Sequence, residues 1–153
     1  MRIYQFKAKQ FLPIKINEAW GFFSNPNNLP KITPPWLNLE VTSQLDNKMY
    51  TGMIITYLVR PLLNIPTTWV TEITHVLEPN FFVDEQRFGP YKFWHHQHIF
   101  RKAENGTEME DIVSYAIPLM FAGRWANSLI IARKIKSIFD YRTDVLNKMF
   151  SMG

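Results

Sequence analysis

Residues 92–117 read KFWHHQHIFRKAENGTEMEDIVSYAI, and the fold turns on this stretch. Two alternating runs, 92–101 and 107–117, flank the dipeptide Asn105-Gly106. That dipeptide suits a two-residue type I′ turn, whose central positions both need positive φ. The stretch therefore predicts an antiparallel hairpin. If Glu104 faces Thr107, then Phe100 faces Asp111, His98 faces Val113 and His96 faces Tyr115. Side chains two apart on a strand share a face, so Trp94, His96, His98 and Phe100 point the same way. Their expected neighbours Val113, Tyr115 and Ile117 are apolar or amphipathic, which makes this the buried, concave face.

Working toward the N-terminus, further strands are expected at 39–44, 52–60, 67–77 and 81–88. The links between successive strands are short and carry turn residues, such as Glu78-Pro79-Asn80 and Gly89-Pro90. Links of that length make neighbours antiparallel, because a parallel crossover needs a dozen or more residues. Residues 2–11 alternate and read as a first strand. Asn17 is the expected cap of a short helix whose apolar face carries Ala19, Trp20, Phe22 and Phe23. Asn25-Pro26 starts a second short helix, which Pro34-Pro35 ends. Toward the C-terminus the period changes. Phe121, Trp125, Ala132, Ile135, Phe139, Leu146 and Phe150 fall on one helical stripe, so 121–150 predicts a single long amphipathic helix. The fold class is α+β, with a curved antiparallel sheet of six to seven strands around a long C-terminal helix. The two short helices plug one end. The chain of 153 residues is the size of one domain and shows no linker or repeat, so residues 1–153 form a single unit.

Composition narrows the function. Cysteine is absent, which excludes disulfides, thiol catalysis and cysteine-ligated zinc. The charged start MRIYQFKAKQF lacks a signal-peptide core, and the longest charge-free apolar run, 112–123, is too short for a bilayer. A cytoplasmic location is expected. The net charge of +4 arises wholly from residue 121 onward, where Arg124, Arg133, Lys134, Lys136, Arg142 and Lys148 outnumber Asp140 and Asp144. That pattern describes a solvated helix face or a face for anionic lipid or an acidic partner. It does not describe the spread basic groove of a nucleic-acid binder. No nucleophile elbow, P-loop, dinucleotide fingerprint or zincin motif occurs.

The order of elements resembles the helix-grip fold of the START-like, or SRPBCC, superfamily, which includes the birch-pollen allergen, lipid-transfer START domains and polyketide cyclases. The residues that carry the likeness run from Asn28-Leu29-Pro30 and Thr33-Pro34-Pro35-Trp36 through Trp69, Thr71, Ile73, Phe82, Asp84 and Gln86. It continues in Gly89-Pro90-Tyr91, Trp94, His96, His98, Phe100, Gly106-Thr107, Asp111, Val113, Tyr115, Pro118 and Tyr141-Arg142. In these residues the chain is similar to the bacterial ligand-binding SRPBCC subgroup, described as cell-division-inhibitor-like and related to domains found with nucleotide-sugar epimerases. The resemblance implies a ligand cavity between the sheet and the long helix.

The residues expected to line that cavity are Tyr57, Trp69, Thr71, Gln86, Trp94, His96, His98, Tyr115, Phe121 and Trp125. Dry aromatic walls with a few polar points suit a small hydrophobic or aromatic ligand of lipid, quinone or polyketide type, bound by a carrier or sensor. His96 and His98 lie about 7 Å apart along a strand and have no obvious third ligand beyond Asp111, His75 or Asp84. No metal and no cofactor is therefore expected. Asp84 and Asp111 sit in apolar stretches and must be paired or protonated if buried. Arg124 and Arg142 lie at the edge of the helix stripe, and a pair between Arg142 and a carboxylate would pin helix to sheet. One alternative is a cyclase or aromatase using His96 with Tyr115 or His98 with Asp111 as acid and base. Another is an interaction module with a filled core, meeting a membrane surface or an epimerase-like protein. No catalytic residue is assigned, and the oligomeric state is open.

Overall fold

Period-two alternation of apolar side chains generates one seven-stranded sheet. In the computed structural model, residues 1–61, 64–118 and 125–151 are described, the side chains of 125–127 excepted. The strands are β1 (Tyr4–Leu12), β2 (Glu40–Val41), β3 (Ile54–Val59), β4 (Thr67–Leu77), β5 (Phe81–Phe88), β6 (Phe93–Ala103) and β7 (Gly106–Ala116). Helix α1 (Ile16–Phe23) and two 3-10 segments, Pro26–Ile32 and Pro35–Leu37, follow β1, and helix α2 (Trp125–Phe150) follows β7. All neighbours are antiparallel, in the order β1-β7-β6-β5-β4-β3-β2. β4 and β5 coincide with their expected bounds. The expected start of the long helix, 121–124, lies outside the described residues.

The hairpin register differs from expectation by two residues. Ala103 pairs with Gly106, so the turn is Glu104-Asn105, with Asn105 at φ 62°. Gly106 belongs to β7. A Cβ there would meet the Leu12 carbonyl oxygen and lie 2.5 Å from Cζ of Phe11, so the glycine serves the close approach of β1 rather than the turn. His98 therefore faces Asp111, His96 faces Val113 and Trp94 faces Tyr115. A slip of two keeps every side chain on its expected face, whereas a slip of one would have reversed them all.

Local details also depart from expectation. Lys15, not Asn17, occupies the N-cap of α1 and makes no side-chain cap bond. Asn25 does cap the next segment, accepting at Oδ1 from the Asn27 amide at 3.1 Å. That segment is 3-10 rather than α, and Pro30 inside it removes a backbone donor. The strand expected over 39–44 shrinks to two residues, because Ser43 Oγ takes the Thr56 amide at 3.1 Å in place of a ladder carbonyl.

Two register shifts in β4, at Val70/Thr71 and Ile73/His75, bend the sheet, as bulges do. The concave face receives both helices. Trp20 of α1 meets Phe82 and Phe100 edge-on at 6.0 and 5.9 Å. From α2, Phe139 meets Phe6 at 4.9 Å with Ile131 and Ile135 buried in the same cluster, while Leu146 is buried in the cluster that holds Trp20, Phe82 and Phe100. Each such side chain contributes about 1.5–3 kcal/mol on burial. Gln10 fastens β1 to α2, donating to the Thr143 carbonyl at 3.0 Å and to Asn147 Oδ1 at 2.9 Å. The opposite side of α2 is charged and exposed, with Lys136 bonded to Asp140 at 2.6 Å. No helix among the described residues is long and apolar enough to cross a membrane.

Candidate functional site

Between the concave face and α2 lies a cavity of about 170 Å³. Tyr57, Trp69, Thr71, Trp94, His96 and His98 all line it, as the alternation of β3, β4 and β6 requires. Phe22, Phe23 and Leu29 close one end, and Ile135, Ile138 and Phe139 of α2 form the roof. Trp69, Tyr91 and Trp94 pack as a triad, with ring centroids 4.7 to 5.5 Å apart. Sequence reasoning missed Tyr91 because it sits just after the Gly89-Pro90 turn, where strand alternation gives no direction.

Two expected residues are elsewhere. Gln86 does not line the cavity. Its side chain donates to the Tyr91 carbonyl at 2.7 Å and accepts from the Tyr91 amide at 3.2 Å, closing the β5–β6 turn. A Cβ on Gly89 would fall 2.5 Å from Gln86 Oε1, so that glycine leaves room for the clasp. Tyr115 is buried beside the cavity rather than in it. It stacks on Tyr4 at 5.6 Å and meets Tyr91 at 6.0 Å, and burial raises its pKa, helped by Tyr4. Phe121 lies outside the described residues, as does the side chain of Trp125.

The polar floor is a four-residue knot across three strands. In register, Asp84 of β5 faces His96 of β6, and His98 of β6 faces Asp111 of β7. The short hydrogen bonds run diagonally instead, from His96 Nε2 to Asp111 Oδ1 and from His98 Nε2 to Asp84 Oδ2, both 2.7 Å. The remaining ring nitrogens face the other carboxylate. His96 Nδ1 is 3.3 Å from Asp84 Oδ2. His98 Nδ1 is 3.1 Å from Asp111 Oδ1, but out of line for a hydrogen bond. The two imidazoles lie 3.7 Å apart between the carboxylates. Arg142 of α2 brings Nη1 to 3.9 Å from Asp111 Oδ1, with its guanidinium 4.8 Å over Phe139, so the expected Arg142–carboxylate pair is with Asp111. His75 is exposed and bonded to Thr74, away from the knot.

Burial opposes charge on Asp84, His96 and Asp111, yet mutual pairing wins. Burial alone would lower the pKa of His96, but the Asp84 charge and bonds to Asp111 and Asp84 raise it to about 9. Burial likewise works to raise Asp84 and Asp111, and the two histidines more than reverse it, holding both carboxyls below their ordinary range. The Tyr57 hydroxyl is pushed up by burial and by the nearby Asp84 charge, so it stays a neutral donor. His96 and Arg142 together supply two positive charges facing the two carboxylates of Asp84 and Asp111. Every imidazole nitrogen lies within 3.3 Å of a carboxylate oxygen, and His98 Nδ1 makes no hydrogen bond.

No protein-family model and no curated protein sequence matches the chain. Solved structures do. A START superfamily protein from Mycobacterium smegmatis superposes with a TM-score of 0.72 at 7% identity, over 97% of each chain. Ara h 8.0201 matches with a TM-score of 0.62 at 11% identity, over 96% of this chain and 99% of the other. A nucleoside-diphosphate sugar epimerase from Corynebacterium glutamicum matches at 20% identity and TM-score 0.66, over 94% of this chain but 28% of the epimerase. The chain has the helix-grip fold of START-like, SRPBCC, proteins, as its sequence likeness implied.

Proposed function

We propose that the protein binds one small hydrophobic or aromatic molecule between the sheet and α2, as a carrier or sensor. The observation that carries this reading is a cavity of about 170 Å³ with aromatic walls and one polar pole. An apolar void of roughly 150 Å³ accommodates benzene, and drug-sized sites begin near 300 Å³. The size favours a compact one- or two-ring molecule, such as a small quinone or aromatic polyketide fragment, over a long acyl chain. The aromatic walls supply contact area, while Tyr57 and the floor orient a polar substituent. The cyclase-like alternative is less well supported, because both imidazoles are already committed to carboxylates.

The test is titration calorimetry with 2-naphthol and 1,4-naphthoquinone, beside palmitate, together with native mass spectrometry of the protein as purified. The ring compounds should bind at about 10 µM, roughly −7 kcal/mol, and palmitate more weakly. Thr71→Phe fills the cavity from β4 and should weaken ring binding at least tenfold while the protein stays folded. No ring binding and no co-purified small molecule would overturn the reading.

A further inference from the structure

The floor is built in a way that ligand orientation alone does not need. From the sequence, His96 and His98 lacked an obvious third partner, with Asp84 one of three alternatives. The sheet register supplies it. One atom each from Asp84, His96 and His98 lies within 4.8 Å of the other two. On that side, Asp84 Oδ2 is 3.3 Å from His96 Nδ1 and 2.7 Å from His98 Nε2. On the far side, the other nitrogen of each ring turns to a single atom, Asp111 Oδ1, at 2.7 Å for His96 and 3.1 Å for His98. Arg142 stands behind that carboxylate.

This is the two-layer arrangement of a histidine–carboxylate metal centre. Metal-ligating imidazoles characteristically donate their outer N–H to a carboxylate, which fixes tautomer and ring orientation. We propose that Asp84 Oδ2, His96 Nδ1 and His98 Nε2 bind one first-row divalent transition-metal ion, with Asp111 holding the outer nitrogens of both rings. Two nitrogens and one carboxylate oxygen suit zinc, cobalt, nickel or iron rather than magnesium or calcium. Ligand atoms about 2.1 Å from such an ion stand about 3.3 Å apart, so the His96–Asp84 spacing is already met and the His98–Asp84 pair opens by about 0.6 Å. The unbonded Nδ1 of His98 also finds a role, since an ion on Nε2 fixes the proton on Nδ1, facing Asp111. With both imidazoles neutral, Asp84, Asp111 and Arg142 sum to one negative charge, so a divalent ion leaves one positive charge. Asp84, His96 and His98 all line the cavity, so the remaining coordination positions open onto it.

The proposal rests on these side chains and not on what fills the cavity. Its test uses tag-free protein stripped with a chelator, titrated with Co²⁺ by visible absorption and with Zn²⁺ by calorimetry. One equivalent should bind at micromolar strength or tighter, with cobalt d–d bands displaced by Zn²⁺. His96→Ala and His98→Ala should each lower affinity at least 100-fold, and Asp111→Asn by about 10–100-fold with stoichiometry kept. His75→Ala and His95→Gln should leave it unchanged. Wild-type binding weaker than about 1 mM would show the knot to be an ion-pair network alone, whether or not the histidine variants fold. So would binding that survives His96→Ala and His98→Ala but is lost with His95→Gln.

Discussion

Replacing Asp111 with asparagine removes one charge from the floor while keeping its shape. Asp111 Oδ1 is the common neighbour of His96 Nε2 at 2.7 Å, His98 Nδ1 at 3.1 Å and Arg142 Nη1 at 3.9 Å. His96, raised to about 9, is cationic at neutral pH, and so is Arg142. Asparagine can still accept one hydrogen bond, but the two buried cations then face Asp84 alone. Removing one partner from a buried pair costs about 3–5 kcal/mol, most of it from the uncompensated charge left behind. In a domain of this length each kcal/mol moves Tm by about 2–4 °C, so the expected drop is about 6–20 °C. The assay is urea and thermal unfolding in chelator-containing buffer, with an unchanged m-value to show that only stability moved. The double variant Asp111→Asn with His96→Gln should lose at least about 1 kcal/mol less than the sum of the single losses. A Tm within 2 °C of wild type, or strict additivity in the cycle, would refute the electrostatic account of the floor.

Two further outcomes follow from the β-hairpins. Gly106→Ala drives a Cβ onto the Leu12 carbonyl and should destabilise by about 1–3 kcal/mol, read as a lower urea midpoint, because backbone cannot move aside as a side chain can. Gln86→Ala loses both bonds to the Tyr91 backbone and should destabilise by about 1–3 kcal/mol, yet leave 2-naphthol affinity within twofold, since Gln86 does not line the cavity.

Strand existence, strand facing and the long helix were legible in the sequence because they rest on period, a property of the chain itself. β4 and β5 coincide with their alternating runs, and Trp94, His96, His98 and Phe100 do share the concave face. The turn register was less legible. Asn105-Gly106 carries two signals that the sequence cannot separate: positive φ, which Asn105 supplies, and close approach, which Gly106 permits. Gln86 pointed to a polar cavity residue by facing alone. Its actual partner, the Tyr91 backbone, is a turn away and is selected by geometry that a one-dimensional pattern does not encode. The floor was legible in parts, as two histidines, two carboxylates and an arginine that had to be paired. Which atom meets which depended on three strands coming into register and on α2 delivering Arg142 from 31 residues beyond Asp111.

The outermost pairing of the sheet joins the beginning of the chain to its later part: Tyr4 lies against Tyr115 and Leu12 against Thr107. A ribosome adding roughly 5–20 residues per second leaves β1 waiting on the order of 10 s for its neighbour. During that interval the meander from β2 to β6 can assemble alone, with its greasy inner surface uncovered until α2 emerges. Vectorial synthesis thus leaves a window in which that inner surface is open to holdase chaperones before the helix covers it.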